Sequence, residues 1–206
     1  MGTSWITGLT QMFRQVQVND TAIIDFTFYD LAGHPILTSS QKIHQVSLGR
    51  GGGSFLAEPL SIRAGWIGNP PYTGVDAYFS DPRTMTKFGI HGLELDELDA
   101  AVLGMQVGET KTVGFTFSDP LKITFKDYEF NAIGGNFSNS ALGDPVPFGF
   151  SVSPLVEGLD TDMSTPTDPV FRIGYIVNKT TDSVEVQHRY PSAEITVREI
   201  RAEIKA

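Results

Sequence analysis

The chain contains no cysteine, which excludes disulfide staples, thiolate metal sites and a cysteine nucleophile but leaves the redox compartment open. No apolar run approaches the roughly 18 residues that a bilayer-spanning helix requires. Positive charge is scarce as well: 15 Lys and Arg stand against 24 Asp and Glu, for a formal net charge of −9. Nucleic-acid binding depends on clustered Lys and Arg that displace phosphate counterions, and the sequence has no such cluster, so no nucleic-acid partner is expected. The acidic residues are themselves dispersed, which reads as a solvated surface. The stretch Met1–Gln11 lacks the basic and apolar blocks of a signal peptide. The expectation is a cytoplasmic protein, or an exported or membrane-anchored one whose leader precedes Met1. The triplets Asn19-Asp20-Thr21, Asn136-Phe137-Ser138 and Asn178-Lys179-Thr180 match glycosylation acceptors.

What is present is turn chemistry and aromatic residues. Within 206 residues there are 21 glycines, 12 prolines and 11% aromatics against only 19% charged residues, the composition of a β-rich globular protein of all-β or α+β class. Residues 1–15 carry no clean period and read as a tail or linker. Val16–Tyr29 then alternates, with Val16, Val18, Ala22, Ile24, Phe26 and Phe28 on one face and Asp25 and Thr27 on the other, so a strand is predicted. Asp30-Leu31-Ala32-Gly33 is a turn, and Ile36–Ser40 should return as an antiparallel neighbour.

From Gln41 to about Lys87 the pattern dissolves into Gly49–Gly53, Gly68-Asn69-Pro70-Pro71 and Ser80-Asp81-Pro82 around Trp66, Tyr72, Tyr78 and Phe79, and it reads as an irregular insertion. The glycine run lacks the Lys-Ser/Thr and the strand-to-helix frame of a phosphate loop, so a flexible loop is predicted there. Leu98, Ala101, Val102 and Met105 recur at helical spacing, Gly104 and Gly108 supply a stop and a turn, and Val113, Phe115 and Phe117 alternate as a strand. Asp119–Gln187 forms a second irregular region. It ends in a hairpin, Val170–Val177 with Ser183–His188 around Asn178–Asp182. In Ala193–Ile204, Ile195 and Val197 share one parity and Ile200 the other, which fits a closing strand or a strand with a bulge.

The words Ala101-Val102-Leu103-Gly104-Met105 and Val107-Gly108-Glu109-Thr110-Lys111 resemble the segment with which FKBP-type peptidyl-prolyl isomerases close their pocket. Val18–Thr27, Gly33–Ser40 and Phe88–Leu95 stand in the order of that family's elements. Ile173–Val177, Thr181–Val186, His188-Arg189-Tyr190-Pro191 and Ile195–Ile204 resemble the return from the flap insert in SlyD-like and long archaeal members. The resemblance covers about half of the chain, leaving residues 41–87 and 120–168 unmatched.

The resemblance implies an α+β, FKBP-like fold: a half-wrapped antiparallel β-sheet around one short helix, with an apolar cavity between them and a β-rich insert domain in the flap. It divides the chain into a tail (1–15), an isomerase domain (16–118 and 188–206, with 41–87 as an irregular insertion) and a flap insert (119–187). Such a cavity suits prolyl isomerisation. Twisting the bond crosses roughly 18–20 kcal/mol because amide resonance is lost, and the twisted amide is less polar than the planar one. A dry pocket therefore favours the transition state without nucleophile, metal or cofactor. Carried over by position, Phe26 is an aromatic pocket wall, Leu98 the floor, Leu95 and Ile195 side walls, and Ile36 stands where phenylalanine is common. Leu37 replaces the family's aspartate, a polar device near the substrate carbonyl, so weak activity is expected. The family's flap tyrosine has no clear counterpart, with Phe125 and Tyr128 as substitutes. The partners implied are Xaa-Pro-containing polypeptide clients, with macrolide-type inhibitors taking the same pocket.

Three duller readings compete. Phe26, Leu95, Leu98 and Ile195 would be core in any sheet-on-helix domain. His34, His44, His91 and His188 are scattered, so no metal site is expected. Ser39, Ser40 and His44 lack the local frame of a hydrolase. Two other functions fit: a non-catalytic chaperone or binding module on a degenerate FKBP fold, or an exported β-rich glycan-binding surface built on Trp66, Tyr72 and Tyr78.

Overall fold

The computed structural model describes residues 14–49, 53–65, 75–80, 87–150 and 170–202, with backbone alone at 75–80, 87, 150 and 170. Trp66 and Tyr72 lie outside the described residues, as do residues 1–13. Strand β1 (Thr21–Tyr29) is the spine of a first sheet. Its inward residues Ala22, Ile24, Phe26 and Phe28 are at most 2% exposed, as the alternation requires, while Val18 points to solvent. β2 (Pro35–Thr38) pairs antiparallel with the end of β1. Strand β4 (Leu60–Arg63) pairs antiparallel with its beginning. Between them come α1 (Gln41–Gly49) and the short β3 (Phe55–Leu56), which runs parallel to β2.

The described residues of the segment read as irregular over 41–87 are therefore largely structured. Ser40 explains part of this: its hydroxyl accepts from the Ile43 N–H at 3.3 Å and caps α1. The apolar period is missing because the buried residues of α1 are polar, His44 and Ser47, with His44 Nδ1 3.1 Å from Ser54 Oγ. Gly49 ends this helix, and residues 50–52 of the glycine run lie outside the described residues. Ser39 donates to Asp25 and accepts from the Phe26 N–H, so both serines take part in local hydrogen bonding.

β5 (Val75–Ser80) and β6 (Lys87–His91) form a hairpin that leads into α2 (Gly92–Ala101). This helix begins six residues before the Leu98 at which the sequence period starts. The cause is a capping box: His91 accepts from the Leu93 N–H through Nδ1 at 3.2 Å, and Glu94 accepts the His91 N–H at 2.9 Å. At the other end Gly104 takes a left-handed φ of 78°, and Lys111 Nζ donates to the Ala101 carbonyl at 3.1 Å. β7 (Thr110–Gly114) follows on the edge of the first sheet.

The chain then re-enters the second sheet, to which β5 and β6 already belong, through β8 (Lys122–Lys126), helix α3 (Asp127–Ala132), β9 (Pro145–Phe150), β10 (Val170–Lys179) and β11 (Ser183–Gln187). It returns along β12 (Ser192–Arg201), which lies antiparallel between β1 and β7. The described strands thus form two open six-stranded sheets, β3-β2-β1-β12-β7 with β4, and β5-β6-β10-β11-β8 with β9, in a mixed α+β fold. The parity conflict in the last strand resolves as a bulge. Ile23 faces Glu199 and Ile24 faces Val197, so Arg198 is the extra residue and Ile200 turns back into the core.

The described residues of region 119–187 are not irregular either. It has its own apolar cluster of Phe130, Val146, Phe148, Ile176, Val184 and Val186, with Phe125 packed against it. Gly174 is what lets β10 lie there, since a Cβ at this position would stand 2.4 Å from Val186 Cγ1 and 3.0 Å from the Gln187 carbonyl. A Gly174→Ala variant is expected to lose about 1–3 kcal/mol through overpacking. Chemical denaturation followed by a probe in the second sheet measures the loss, and unchanged stability would mean that β10 has room to shift.

Candidate functional site

The six residues singled out by resemblance come from four elements and meet in one apolar cluster. Phe26 on β1 is the direct cross-strand partner of Ile195 on β12, and Leu37 on β2 faces Phe28. Leu95 and Leu98 add the α2 side. Phe28 ties the cluster together: its ring is 5.6 Å from that of Phe26, 5.6 Å from that of Phe115 and 5.9 Å from that of Tyr190.

Phe26, Ile36, Leu37, Leu95, Leu98 and Ile195 are all 5% exposed or less. All six are therefore buried side chains within this cluster. Leu37 in particular sits where a carboxylate would have to bury its charge, so an apolar residue is what this interior demands.

One cavity formed by the described residues lies beside this cluster. It is an open cleft of about 1140 Å³ bounded by the β1–β2 turn, α1 and the second sheet. Tyr29, Ile36, Ile43, Val46, Ile173 and Tyr175 are among its walls, and Ile36 alone of the six belongs to it. Phe125 and Tyr128 do not reach it: Phe125 packs within the insert's own cluster, and Tyr128 is 68% exposed on α3. The tyrosines at the cleft are Tyr29 and Tyr175, one from each sheet. Sequence reasoning missed them because each reads as an ordinary strand residue, and only the meeting of distant segments gives them a common space.

Asp30 orders the cleft's rim, accepting from the Ala32 N–H at 2.8 Å and the His34 N–H at 2.7 Å. Burial, with Asp30 and Tyr190 nearby, pushes the Tyr175 hydroxyl well above the ordinary phenol range, so it remains a donor at neutral pH. Burial, reinforced by Glu194, also raises that of Tyr29.

A buried ionic knot ties the second sheet to α2 next to the apolar cluster. Arg172 of β10 and Glu94 of α2 are both fully buried. The guanidinium donates to Glu94 Oε1 at 2.8 Å and Oε2 at 3.0 Å, to the Gly89 carbonyl at 2.7 Å and to the His188 carbonyl at 2.6 Å. It also lies 4.5 Å from the centre of the Tyr190 ring. His188 is held neutral, its pKa pushed down to about 3 by burial and by the neighbouring Arg172 and His91. On α2, burial and the adjacent Asp96 push Asp99 up to about 7. Among the described residues no group of three or more His, Asp or Glu side chains could hold a metal ion.

No protein-family model matches the chain, and no curated protein matches it in sequence.

Proposed function

We propose that this chain is an FKBP-type peptidyl-prolyl cis-trans isomerase that binds proline-containing stretches of unfolded or extended polypeptide. The observation that carries the reading is a convergence: the wall residues named by the resemblance, drawn from β1, β2, α2 and β12, form one water-poor apolar body that opens at Ile36 onto a cleft. The sheet order β2-β1-β12-β7, with α2 contributing Leu95 and Leu98 to its core, supports the half-wrapped sheet that the resemblance implies, although α1 also packs on β2 and β3. The separate apolar cluster formed by residues of 119–187 supports reading that region as the flap insert, while β5 and β6 of the second sheet lie outside its bounds. Chemistry at such a site requires only desolvation and shape, since a twisted prolyl amide is less polar than its planar ground state.

The test is a refolding reaction limited by prolyl isomerisation, run with a catalytic amount of the protein. Acceleration that scales with its concentration is the expected result. A second reading is a binding module without catalysis, favoured by the tight packing of Phe26, Leu37, Leu95, Leu98 and Ile195 and by the leucine at position 37. Suppressed client aggregation without any acceleration of refolding would decide for that second reading.

A further inference from the structure

The fold treats the chain's Asn-X-Ser/Thr triplets at 19, 136 and 178 differently. Asn19 is half-buried in a left-handed conformation at φ 71°, and its neighbour Asp20 is 4% exposed, bound to Arg14 at 2.7 Å and to the Gln17 N–H at 2.9 Å. Thr21, the third residue, is already paired in β1 between β4 and β12. A triplet tied down in this way is a poor acceptor for a bulky group.

Asn136 and Asn178 are both exposed. For Asn178 the cause is a bulge. Regular pairing onward from Ile176 opposite Val186 would set position 178 opposite Val184, on the face of the buried cluster. The register instead skips Val177, so Asn178 stands opposite Glu185 and Lys179 takes the place opposite Val184. Lys179 then reaches the other triplet: its Nζ donates to the Phe137 and Ser140 carbonyls and lies 4.9 Å from the centre of the Phe137 ring. The two exposed triplets are thus joined through their middle residues. In the Asn136 turn Oδ1 accepts the Asn139 N–H at 3.2 Å, which leaves Nδ2 without a hydrogen bond to any described residue. Ser138, which completes that triplet, is exposed as well. Asn178 stands beyond Tyr175, the last cleft residue of β10, about 10 Å farther along the strand.

We propose that Asn136 and Asn178 are acceptors of N-linked saccharide and that Asn19 is not. In the transfer the side-chain nitrogen bonds to the anomeric carbon of a lipid-pyrophosphate-linked saccharide, and the bond from that carbon to the phosphate oxygen breaks. The lipid pyrophosphate leaves with the electron pair, and an amide proton passes to solvent. The saccharide gives a polar cover to the loop between α3 and β9, where Ile133 is 39% and Leu142 67% exposed. Of the two locations that the sequence leaves open, this assignment takes the exported one. It stands independently of the isomerase reading.

The test is peptide mass spectrometry on the full chain isolated from its own cells, beside Asn136→Gln, Asn178→Gln and Ser138→Thr expressed in the same cells. Trypsin places the three triplets' asparagines in separate peptides, 15–42, 127–172 and 173–179. The expected result is a mass increase by whole sugar residues on the second and third peptides and the bare mass on the first. Each glutamine variant should lose the added mass at its own position alone, while Ser138→Thr keeps it. Bare masses at both Asn136 and Asn178 in the wild type would overturn the proposal, and modification of only one would strike the other. Saccharide on Asn19 would overturn the distinction drawn from the fold.

Discussion

Replacing Arg172 by methionine is expected to remove about 3–5 kcal/mol of folding stability, enough to unfold many domains of this size. The side chain is fully buried, and its guanidinium neutralises a carboxylate, Glu94, that is buried to the same degree. Methionine can fill the volume but leaves Glu94 charged in an apolar site, and it leaves the Gly89 and His188 carbonyls without their donor. The effect should reach both the second sheet and α2, because Arg172 lies on β10 while Glu94 caps the start of α2. A companion variant, Glu94→Leu with Arg172→Met, removes both charges and should recover most of the loss. Urea denaturation of the three proteins measures both effects. A single variant within 1 kcal/mol of wild type would mean that water replaces the guanidinium, and a double variant no better than the single would place the cost in the two carbonyls.

The same knot explains why one part of the fold was legible in the sequence and another was not. The alternation of β1, the hairpin of β10 with β11 and the parity switch in β12 are local patterns, and the structure contains all three. The start of α2 is not local. Glu94 is an unremarkable acidic residue among Leu93, Leu95, Asp96 and Glu97 until Arg172, 78 positions later, folds back onto it. α1 was hidden for a related reason, since its buried residues His44 and Ser47 are held by hydrogen bonding and packing that no apolar period announces.

For the candidate site the division is similar. Residues on regular elements, such as Phe26 and Leu98, were legible as inward-facing, yet their inwardness says nothing of whether they line a cavity or fill a core. The cleft itself joins a turn near position 30, a helix near 45 and strands near 145 and 175, so its existence depends on tertiary placement alone.

Replacing Asp99 by asparagine is expected to stabilise the protein by on the order of 4 kcal/mol at pH 8 and to leave it unchanged near pH 3. Asp99 is 2% exposed and its Oδ2 has no hydrogen-bond partner, so burial, with Asp96 beside it, raises its pKa from 3.8 to about 7. A carboxyl raised on folding contributes its full stability below pH 3.8 and loses it as pH climbs through 7, where the ionised form must remain buried. Asparagine carries no charge to bury, and its amide has the same need for a partner as the protonated carboxyl it replaces.

His188 acts in the opposite sense. Its pKa falls from 6.5 to about 3, so its contribution is present above pH 6.5 and is lost as pH drops through 3. Between pH 3.8 and 6.5 the two slopes oppose each other, and the wild-type stability curve should be nearly flat there. In Asp99→Asn only the histidine slope survives, so stability should rise with pH across that window by about 1.4 kcal/mol per unit. Thermal or urea unfolding at half-unit pH steps separates the outcomes. Parallel curves for the two proteins would mean that Asp99 is hydrated in the folded state, and α2 would then carry a solvated carboxylate rather than a buried one.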